Sequence, residues 1–374
     1  MEYRLEELFD LQMGKTPSRS VTEYWESGNN KWISIADLSK CGKYIYDTKE
    51  CLSDIAVPES GIKQIPANTV VMSFKLSIGK TAITSEPMYS NEAIMSFRDR
   101  KLVQLLPEYI YYLLLSKNWD DGTNKAVMGK TLNKATLSKV KVNIHSMQEQ
   151  QEIVYVLNQA TALIELHQQQ LQKLDELVKA RFVELFGNPV INNKGWNVSD
   201  LGQLTIKIGS GATPKGGKEA YQTDGISLIR SMNVHNGKFE YKELAHISDE
   251  QAARLENVAV EENDVLLNIT GASVARSCVV PTNVLPARVN QHVCIIRCKD
   301  SIMPDFINSL LIDDNYQDLL WSIAGSGATR EAITKQQVES LQIILPPISK
   351  QEEFSKFINR VDKSKLLQFF CFPI

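Results

Sequence analysis

A glycine-rich segment in this sequence comes close to the pattern of a phosphate-binding loop. Residues 211–218 read Gly-Ala-Thr-Pro-Lys-Gly-Gly-Lys. A phosphate-binding loop needs a lysine directly after its second glycine, followed by a serine or threonine that holds magnesium. Here Gly217 precedes Lys218, and Glu219 stands where the hydroxyl residue is needed. The segment therefore predicts a turn and not a nucleotide site.

Cysteine and histidine residues in the second half of the chain raise the question of a metal site. The residues concerned are Cys278, His292, Cys294 and Cys298. They lack the closely spaced cysteine pair of a structural zinc site, and the first half of the chain has no equivalent set. Cys294 lies in an apolar run that is typical of a buried strand, so we expect core cysteines and no metal.

Other catalytic signatures do not occur in the sequence. No Gly-x-Gly-x-x-Gly segment follows a predicted strand, so a dinucleotide or methyl-donor loop has no candidate. Neither Pro346-Pro347 nor its surroundings form the polar-Pro-Pro-aromatic tetrapeptide with which an adenine methyltransferase grips its base. No Ser–His–Asp or Cys–His–Asp set occurs in both halves of the chain. We expect a chain with no catalytic centre and no bound cofactor, and therefore a recognition protein.

Composition indicates a globular protein with more than one core. The 374 residues are 43% hydrophobic and 23% charged, and such a length favours two domains. Residues 1–10 do not resemble an export signal, and no apolar run reaches the roughly 18 residues of a membrane span. The six scattered cysteines suit a reducing compartment, so we expect a cytoplasmic protein. Because the net charge is −3, any nucleic-acid site has to be a local basic surface.

The chain contains the same series of landmarks twice. Gly14-Lys15-Thr16-Pro17 recurs as Gly211-Ala212-Thr213-Pro214, an offset of 197 (211 − 14), and Asn68 to Ser73 recurs as Asn263 to Asn268, an offset of 195 (263 − 68). Gly129-Lys130-Thr131 recurs as Gly327-Ala328-Thr329, and Gln150-Gln151-Glu152-Ile153 as Gln351-Glu352-Glu353-Phe354. Matches in one order at nearly one offset indicate an internal duplication.

Each copy mixes strand and helix signals, so each is predicted to be α+β. Short strands are predicted at residues 31–35 and 226–230, and hairpins at 68–84 and 263–280. Pro107 and Pro304, each followed by an acid, predict helix starts, because proline lacks the amide hydrogen left unpaired there and the acid meets the positive end of the helix dipole.

A long helix is predicted between the two copies. Residues 148–186 contain no glycine or proline, and Gly187-Asn188-Pro189 ends the run. A 4,3-spaced seam of mostly apolar residues follows Ile153, Leu157, Ala160, Ile164, His167, Leu171, Leu174, Val178, Arg181 and Leu185, and Phe354, Ile358 and Val361 continue it after the second copy. At 1.5 Å per residue the helix is about 58 Å long. We expect it to pair antiparallel with the second helix; the open alternative is a solvated linker helix.

Basic segments without acids indicate where DNA would be contacted. Residues 60–85, 123–141 and 265–299 contain lysine or arginine and no aspartate or glutamate. Cations suit phosphates, arginine suits guanine, and asparagine or glutamine suits adenine. The predicted contact residues are Lys15, Trp32, Lys75, Lys80, Asn91, Lys125, Lys130, Thr131 and Lys134 in the first copy, and Arg230, Asn233, Arg276, Arg288, Asn290, Gln291 and Arg330 in the second.

At this point the sequence resembles a known family. The run from Gly14 to Pro17, then Tyr24-Trp25 and residues 32–38, resembles the start of a target recognition domain in specificity subunits of type I restriction–modification systems. Residues 150–154, the helix ending in Leu185-Phe186-Gly187-Asn188-Pro189, and the second junction at residues 346–353 resemble the same family.

The resemblance implies an α+β protein with two similar recognition domains in a pseudo-two-fold repeat. The implied divisions are domain 1 at residues 1–146, a central spacer helix at 147–187, domain 2 at 188–347 and a shortened C-terminal helix at 348–374. Each domain would read one half of a two-part site in double-stranded DNA. The helices would set the spacing and dock modification (methyltransferase) subunits, while restriction (motor-nuclease) subunits would complete the complex. S-adenosylmethionine, ATP and magnesium would then be bound by those partner subunits.

The second helix departs from the family pattern. The seam positions after Val361 become Lys365 and Gln368, and the sequence ends in the apolar segment 366–374. We expect the half-seam from Leu171 to Leu185 to be exposed and to drive self-association unless a partner covers it. Two alternatives to a specificity subunit remain at this point, namely a stand-alone DNA-binding protein and a coiled-coil scaffold that does not bind DNA.

Overall fold

The structure is a computed structural model of the chain. It describes residues 1–26, 28–75, 77–119, 124–126, 129–213, 216–325 and 331–371, and for 124–126, 129–131, 218, 220 and 367–371 it describes the backbone alone. The chain divides into two compact units, unit 1 at Met1–Glu165 and unit 2 at Leu166–Ile374. The boundary falls within the long central helix, so that each unit includes one half of it.

Unit 1 contains short strands and helices in alternation. Its strands are β1 (Glu2–Arg4), β2 (Phe9–Met13), β3 (Asn30–Ile33), β4 (Tyr44–Ile45), β5 (Glu50–Leu52), β6 (Val70–Ser73), β7 (Thr81–Thr84), β8 (Tyr89–Ser90), β9 (Ile94–Asp99), β10 (Asn124–Ala126), β11 (Gly129–Thr131) and β12 (Lys141–Asn143). Its helices are α1 (Leu5–Leu8), α2 (Ile35–Leu38), α3 (Ala56–Ser60), α4 (Pro107–Leu115) and α5 (Lys134–Ser138), and α6 (Met147–Phe186) begins in it.

Unit 2 repeats this series. Its strands are β13 (Asn197–Asp200), β14 (Thr205–Ser210), β15 (Ile226–Ile229), β16 (Val234–His235), β17 (Lys238–Phe239), β18 (Ala245–Ile247), β19 (Ala259–Val260), β20 (Val265–Asn268), β21 (Ser277–Val279), β22 (Ala287–Val289), β23 (Val293–Cys298) and β24 (Gln342–Leu345). Its helices are α7 (Leu201–Leu204), α8 (Asp249–Ala253), α9 (Pro304–Leu311), α10 (Asp314–Gly325), α11 (Lys335–Glu339) and α12 (Ile348–Cys371).

The sheets of the two units share one topology. In unit 1 the strand order β2-β9-β6-β7-β4 forms the main sheet, and in unit 2 the order β14-β23-β20-β21 matches its first four strands. The second sheet follows β5-β3-β8 in unit 1 and β18-β15-β22-β19 in unit 2, with the same antiparallel and parallel pairs in the matched part. The predicted duplication, the α+β class, both hairpins and the helices that begin at Pro107 and Pro304 are confirmed.

Continuous apolar strands at the centre of each main sheet explain the core of each unit. Strands β6 and β20 are buried on both faces, because each lies inside its sheet with helices or the second sheet against it. Burying an aliphatic side chain stabilises a fold by about 1.5–3 kcal/mol, so these strands contribute most per residue. The two hairpins are therefore supported at their bases, and their loops lie at the ends of the sheets.

Helix α6 has the predicted extent and a defined start and end. The Ser146 amide donates to the Glu149 carboxylate at 2.8 Å, an N-terminal capping contact. Gly187, with φ of +77°, follows the last helical residue, and glycine takes this left-handed conformation without strain. The absence of glycine and proline between these points allows 40 continuous helical residues.

A buried glutamine side chain fixes the start of each long helix. The Gln150 side-chain oxygen accepts from the Leu106 amide at 3.1 Å, and its nitrogen donates to the Gln104 carbonyl at 3.0 Å. In unit 2 the Gln351 side chain accepts from the Met303 amide at 2.9 Å and donates to the Pro346 carbonyl at 2.8 Å. These contacts explain why a glutamine recurs at both junctions.

The end of α6 lies in the core of unit 2. Phe182 and Phe186 pack against Phe306 of α9 and Phe354 of α12, with ring centroids 4.8 to 5.8 Å apart. Three of these rings are fully buried, and the fourth, Phe182, is 2% exposed. The aromatic cluster therefore joins the two long helices to the sheet of unit 2.

Helix α12 runs opposite to the C-terminal half of α6 and is longer than the seam predicted. Arg181 contacts Glu353 near the start of α12, and Lys365 contacts Asp175 at 2.7 Å further along. The apolar seam lapses after Val361, yet the helix continues to Cys371, and Lys365 in this part pairs with a carboxylate of α6. The antiparallel pairing of a long and a shorter helix is confirmed.

Among the described residues, no helix combines the length and apolar character needed to cross a membrane. Within the same residues, no three His, Cys, Asp or Glu side chains gather where they could hold a metal ion.

Replacing Phe186 by alanine is expected to destabilise unit 2 by about 3–5 kcal/mol, because it leaves a cavity in the aromatic cluster. Chemical denaturation followed by circular dichroism measures this loss. Val183, one turn away and half exposed to solvent, provides the control, and its change to alanine should alter stability by less than about 0.5 kcal/mol. Equal effects of the two substitutions would contradict the aromatic cluster as the joint between α6 and unit 2.

Burial raises the pKa of the Cys278, Cys294 and Cys298 thiols to about 12. Since these values lie above the value of an unfolded thiol, the unfolded chain loses the protons first, and stability falls as pH rises from about 9 towards 12. At pH 9 a thiol reagent should leave the buried Cys278 and Cys294 unmodified in the folded chain and modify them after denaturation, with the half-buried Cys51 as internal reference. Peptide mass mapping measures the modification, and rapid modification of Cys278 and Cys294 in the folded chain would refute their burial.

Candidate nucleic-acid interface

Three segments of unit 1 meet at one end of its main sheet. Strand β9 pairs Met95 with Met13 at the end of β2, and Ile94 with Ser73 at the end of β6. The residues after β2, after β6 and before β9 therefore lie side by side. We call the set 14–17, 74–75, 77–80 and 90–93 the loop end of unit 1.

Unit 2 has the same arrangement. Strand β23 pairs Cys294 with Ser210 at the end of β14, and Val293 with Asn268 at the end of β20. Residues 211–213, 269–276 and 289–292 accordingly form the loop end of unit 2. Two equivalent surfaces thus arise from the duplicated topology.

A glycine in each loop end permits close contact between backbones. The Gly14 amide donates to the Ile94 carbonyl at 3.1 Å, and a Cβ at Gly14 would overlap the carbonyl oxygens of Ser90 and Asn91. Gly211 donates to the Asn290 carbonyl at 3.1 Å, and a Cβ there would overlap the Val289 carbonyl. The repeated Gly-x-Thr sequence is therefore explained by backbone approach and not by phosphate binding.

A threonine hydroxyl then links the two segments of each loop end. The Thr16 hydroxyl donates to the Glu92 carboxylate in unit 1, and the Thr213 hydroxyl donates to the Gln291 side-chain oxygen in unit 2. Glu92 and Gln291 are both exposed to solvent. Sequence reasoning missed Thr16, Thr213 and Glu92, although the matched Asn-Glu and Asn-Gln pairs at residues 91–92 and 290–291 carried the signal.

An asparagine fixes the turn that carries each of these polar side chains. The Asn91 side-chain oxygen accepts from the Ala93 amide at 3.0 Å, and the Asn290 oxygen accepts from the His292 amide at 3.0 Å. Both asparagines were predicted to contact bases. In the structure their side-chain oxygens hold the turn, and Asn290 is buried.

The electrostatics of the unit 1 loop end favour a charged carboxylate beside cations. The hydrogen bond from Thr16 lowers the pKa of the Glu92 carboxyl, and the nearby positive charge of Lys75 also lowers it, against an opposing effect of burial. The Lys75 ammonium lies 5.3 Å from the Phe74 ring. Lys80, predicted as a contact, donates to the Ser39 hydroxyl.

The other predicted residues of unit 1 have mixed positions. Lys15 is exposed and donates to the Ser60 carbonyl, and Lys134 is exposed at the first residue of α5. Trp32 is only 3% exposed, and its ring N–H donates to the Lys15 carbonyl at 3.1 Å. Its burial does not fit direct contact with a base edge; the ring supports the segment that holds Lys15.

Two predicted residues of unit 2 are engaged in the fold. Asn233 is 0% exposed, and its side chain accepts from the Arg230 amide at 3.0 Å and donates to the Glu240 carbonyl at 2.9 Å. The Arg288 guanidinium is buried, pairs with Glu256 and donates to the Ala252 carbonyl at 3.0 Å. Neither side chain is available to DNA, because removing a buried group from its partners is costly.

The acid-free stretch in unit 2 is not a free positive surface. Arg297 pairs with the fully buried Asp264 at 2.9 Å and also contacts Glu261. Both carboxylates lie just before the acid-free stretch in the sequence. Arg230 is half-buried and donates to the Glu243 carbonyl, while its guanidinium lies 5.3 Å from the Tyr221 ring. Partners distant in sequence thus use much of the predicted positive charge.

The loop ends bring together a subset of the predicted residues. In unit 1 these are Lys15, Lys75, Lys80 and Asn91, and in unit 2 they are Arg276, Asn290 and Gln291. Arg330 lies outside the described residues, and the side chains of Lys125, Lys130 and Thr131 are not among those described. The backbone of β11 leads to Leu132, whose amide donates to the Phe74 carbonyl at 3.0 Å in the loop end.

The predicted helix interface is covered unevenly. Leu185, Phe354 and Val361 are buried, and Ile153, Leu171, Leu174, Val178 and Ile358 are half-buried. Leu157 and Ile164 are 37% and 39% exposed. The expectation that residues 171–185 form the exposed half-seam is wrong, because an antiparallel α12 begins beside the end of α6 and covers that half.

Comparisons with known proteins agree with this architecture. The family model described as Type I restriction modification DNA specificity domain matches residues 1–176 and 193–368. The chain is 24% identical, over 95% of its length and 85% of the relative's, to the type I restriction enzyme MjaIX specificity subunit of Methanocaldococcus jannaschii. It is 23% identical, over 88% of its length and 78% of the relative's, to the putative MjaX specificity subunit of the same organism.

Solved structures show the same fold. The S subunit of a type I restriction–modification system from M. genitalium aligns with a TM-score of 0.54 and 12% identity, covering 98% of this chain and 90% of that one. A chain from a type I R-M system described in terms of complex assembly and conformational transition aligns with a TM-score of 0.56 and 17% identity, covering 98% and 92%. With its two family matches and its duplicated loop ends, the chain belongs to the type I restriction modification DNA specificity domain family.

Proposed function

We propose that this chain is the DNA-reading specificity subunit of a type I restriction–modification complex. One observation carries the proposal: the same loop end is built once in each unit, with a glycine close to the carbonyl before the turn asparagine and with the same threonine hydrogen bond. Two equivalent surfaces on one chain suit a two-part DNA site, each unit reading one half. The family match over both halves supports the same conclusion.

The loop ends combine groups for phosphates with groups for bases. Lys15 and Lys134 are exposed cations, and Lys75, Lys80 and Arg276 are half-buried cations in or beside the loops. Such cations neutralise phosphates and displace counterions, which makes binding depend steeply on salt. Gln291 adds an exposed amide that can form hydrogen bonds with a base edge. The remaining surface can stay acidic without opposing this local contact.

Partner subunits are proposed to supply the chemistry. In this proposal, modification subunits dock on the helices, where Tyr155, Val156, Leu163 and Leu166 of α6 expose 43% to 66% of their surface. Those subunits would bind S-adenosylmethionine and methylate adenine, and restriction subunits would add ATP- and magnesium-dependent translocation and cleavage. The chain itself would act without a catalytic centre, in the cytoplasm.

A second copy of this chain is the alternative partner for the exposed helix surface. A stand-alone or scaffold role is not favoured, because the family match and the solved S subunits span nearly the whole chain. Analytical ultracentrifugation of the chain with and without the modification subunit distinguishes self-association from docking of that subunit. A heteromeric complex that forms in place of a homodimer supports docking; a homodimer that persists with the modification subunit present would favour self-association.

Changing Lys75 and Lys80 together to glutamate is expected to weaken binding to all DNA sequences alike, because phosphate contacts carry no sequence information. The plot of log K against log salt should become less steep, its slope decreasing in magnitude by about 2. Titration of fluorescent duplexes at several salt concentrations measures both. Lys101, an exposed lysine beyond the opposite end of β9, provides the matched charge reversal and should leave binding unchanged. Unaltered binding by the double variant would remove this hairpin from the DNA contact surface.

Replacing Gly14 by alanine is expected to displace the first loop end, since the added Cβ overlaps two carbonyl oxygens. Overpacking of this kind costs about 1–3 kcal/mol, so DNA affinity should fall while the rest of unit 1 stays folded. Gly42 has no heavy atom within 4 Å of a built Cβ, and its change to alanine is the control. Duplex titration and thermal melting give the comparison. Equal DNA binding by both alanine variants would contradict the proposed contact at this loop end.

A further inference from the structure

Glu92 and Gln291 occupy equivalent places in the two loop ends but differ in chemistry. Each follows an asparagine that fixes its turn, and each accepts a hydrogen bond from the threonine of the Gly-x-Thr segment. Both are exposed to solvent at the end of the main sheet. A carboxylate and an amide of equal length are therefore presented by the same scaffold, once in each unit.

Among the residues that the structure describes, the partners of Gln291 leave it one acceptor position and one N–H. Its oxygen accepts from Thr213, which uses one of two lone pairs. Its nitrogen lies 3.2 Å from the His292 Nε2, which engages one of two hydrogens, and the His292 Nδ1 contacts the Thr270 hydroxyl. An oriented amide with one acceptor and one donor left matches the N6 and N7 edge of adenine.

The surroundings of Glu92 leave it acceptors alone. One carboxylate oxygen accepts from Thr16, and the side chain is exposed to solvent. An ionised carboxylate can only accept hydrogen bonds. The lowered pKa keeps the group ionised at neutral pH, so it has no proton to donate. Such a group accepts from the N4 amino group of cytosine and opposes the acceptor atoms of guanine and thymine.

We propose that Glu92 and Gln291 are specificity-determining residues, Glu92 selecting cytosine in the half-site read by unit 1 and Gln291 selecting adenine in the half-site read by unit 2. The inference rests on the proposed function and adds the bases read at one position of each half-site. Thr16 and Thr213 act as positioning residues, because they hold the reading groups without contacting a base.

Exchanging the two side chains tests the inference. The whole chain, bound to its modification subunit, is used to select duplexes from a randomised pool, and the enriched motifs are compared. Glu92→Gln keeps an acceptor for Thr16 and gains an N–H, so one position of the first half-site should shift from cytosine towards adenine by at least about fivefold. Gln291→Glu should produce the reverse shift in the second half-site, and each variant should leave the other half-site unchanged.

Controls separate base reading from a structural role. Glu108 accepts from the Tyr44 hydroxyl at 2.7 Å, so Glu108→Gln makes the same chemical change away from the loop ends and should leave the motif intact. A wild-type motif in both loop-end variants, or a uniform loss over all sequences, would overturn the inference while the proposed function stands. Failure of the wild-type complex to select any two-part motif would instead overturn the proposed function. If one variant melts early in circular dichroism, the other decides.

Discussion

The architecture depends on packing that stabilises a 40-residue helix in water. A single apolar seam on an isolated helix gains little, since most helical stability in proteins comes from tertiary packing. Helix α6 meets this constraint at its two ends. Its first turns pack on the core of unit 1 through Ile153 and Val154, and its last turns pack in the core of unit 2 through Phe182 and Phe186. The middle of the helix can then remain exposed without unfolding.

Duplication of the sheet topology gives the molecule two equivalent loop ends. In both main sheets the last strand lies between the first strand and the first strand of the hairpin, and this order brings three loops to one end of the sheet. Glycine is required where the first loop touches the turn before the last strand, at Gly14 and at Gly211. Sheet topology therefore fixes the site, and side chains on a fixed turn can differ between the copies.

Much of the fold could be predicted from the sequence, because it follows from local signals. Pro107, Pro304 and Gly187 mark helix ends for stereochemical reasons, and a regular apolar seam indicates a long helix. The pairing of Lys365 in α12 with Asp175 in α6 was less predictable. That contact joins residues that are distant along the chain.

The candidate site was predictable in its location and less so in its residues. Residue type alone could not separate Gln291, which is exposed, from Asn233, which is buried and bonded to the Glu240 carbonyl. Likewise Arg288 has the type of a DNA contact, but Glu256 neutralises it in the fold. Partners contributed by other elements decide such cases, and no spacing pattern reveals them.

The buried glutamines at the helix starts have a consequence for how the chain comes apart. Gln150 draws its donor and its acceptors from residues 104–106 and 145, so displacing the first turn of α6 leaves backbone groups of unit 1 without their partners. An amide with both functions is required, because a carboxylate lacks the N–H groups. Since an unpaired buried polar group is costly, separating the start of a long helix from its own globular unit carries a free-energy penalty in both elements.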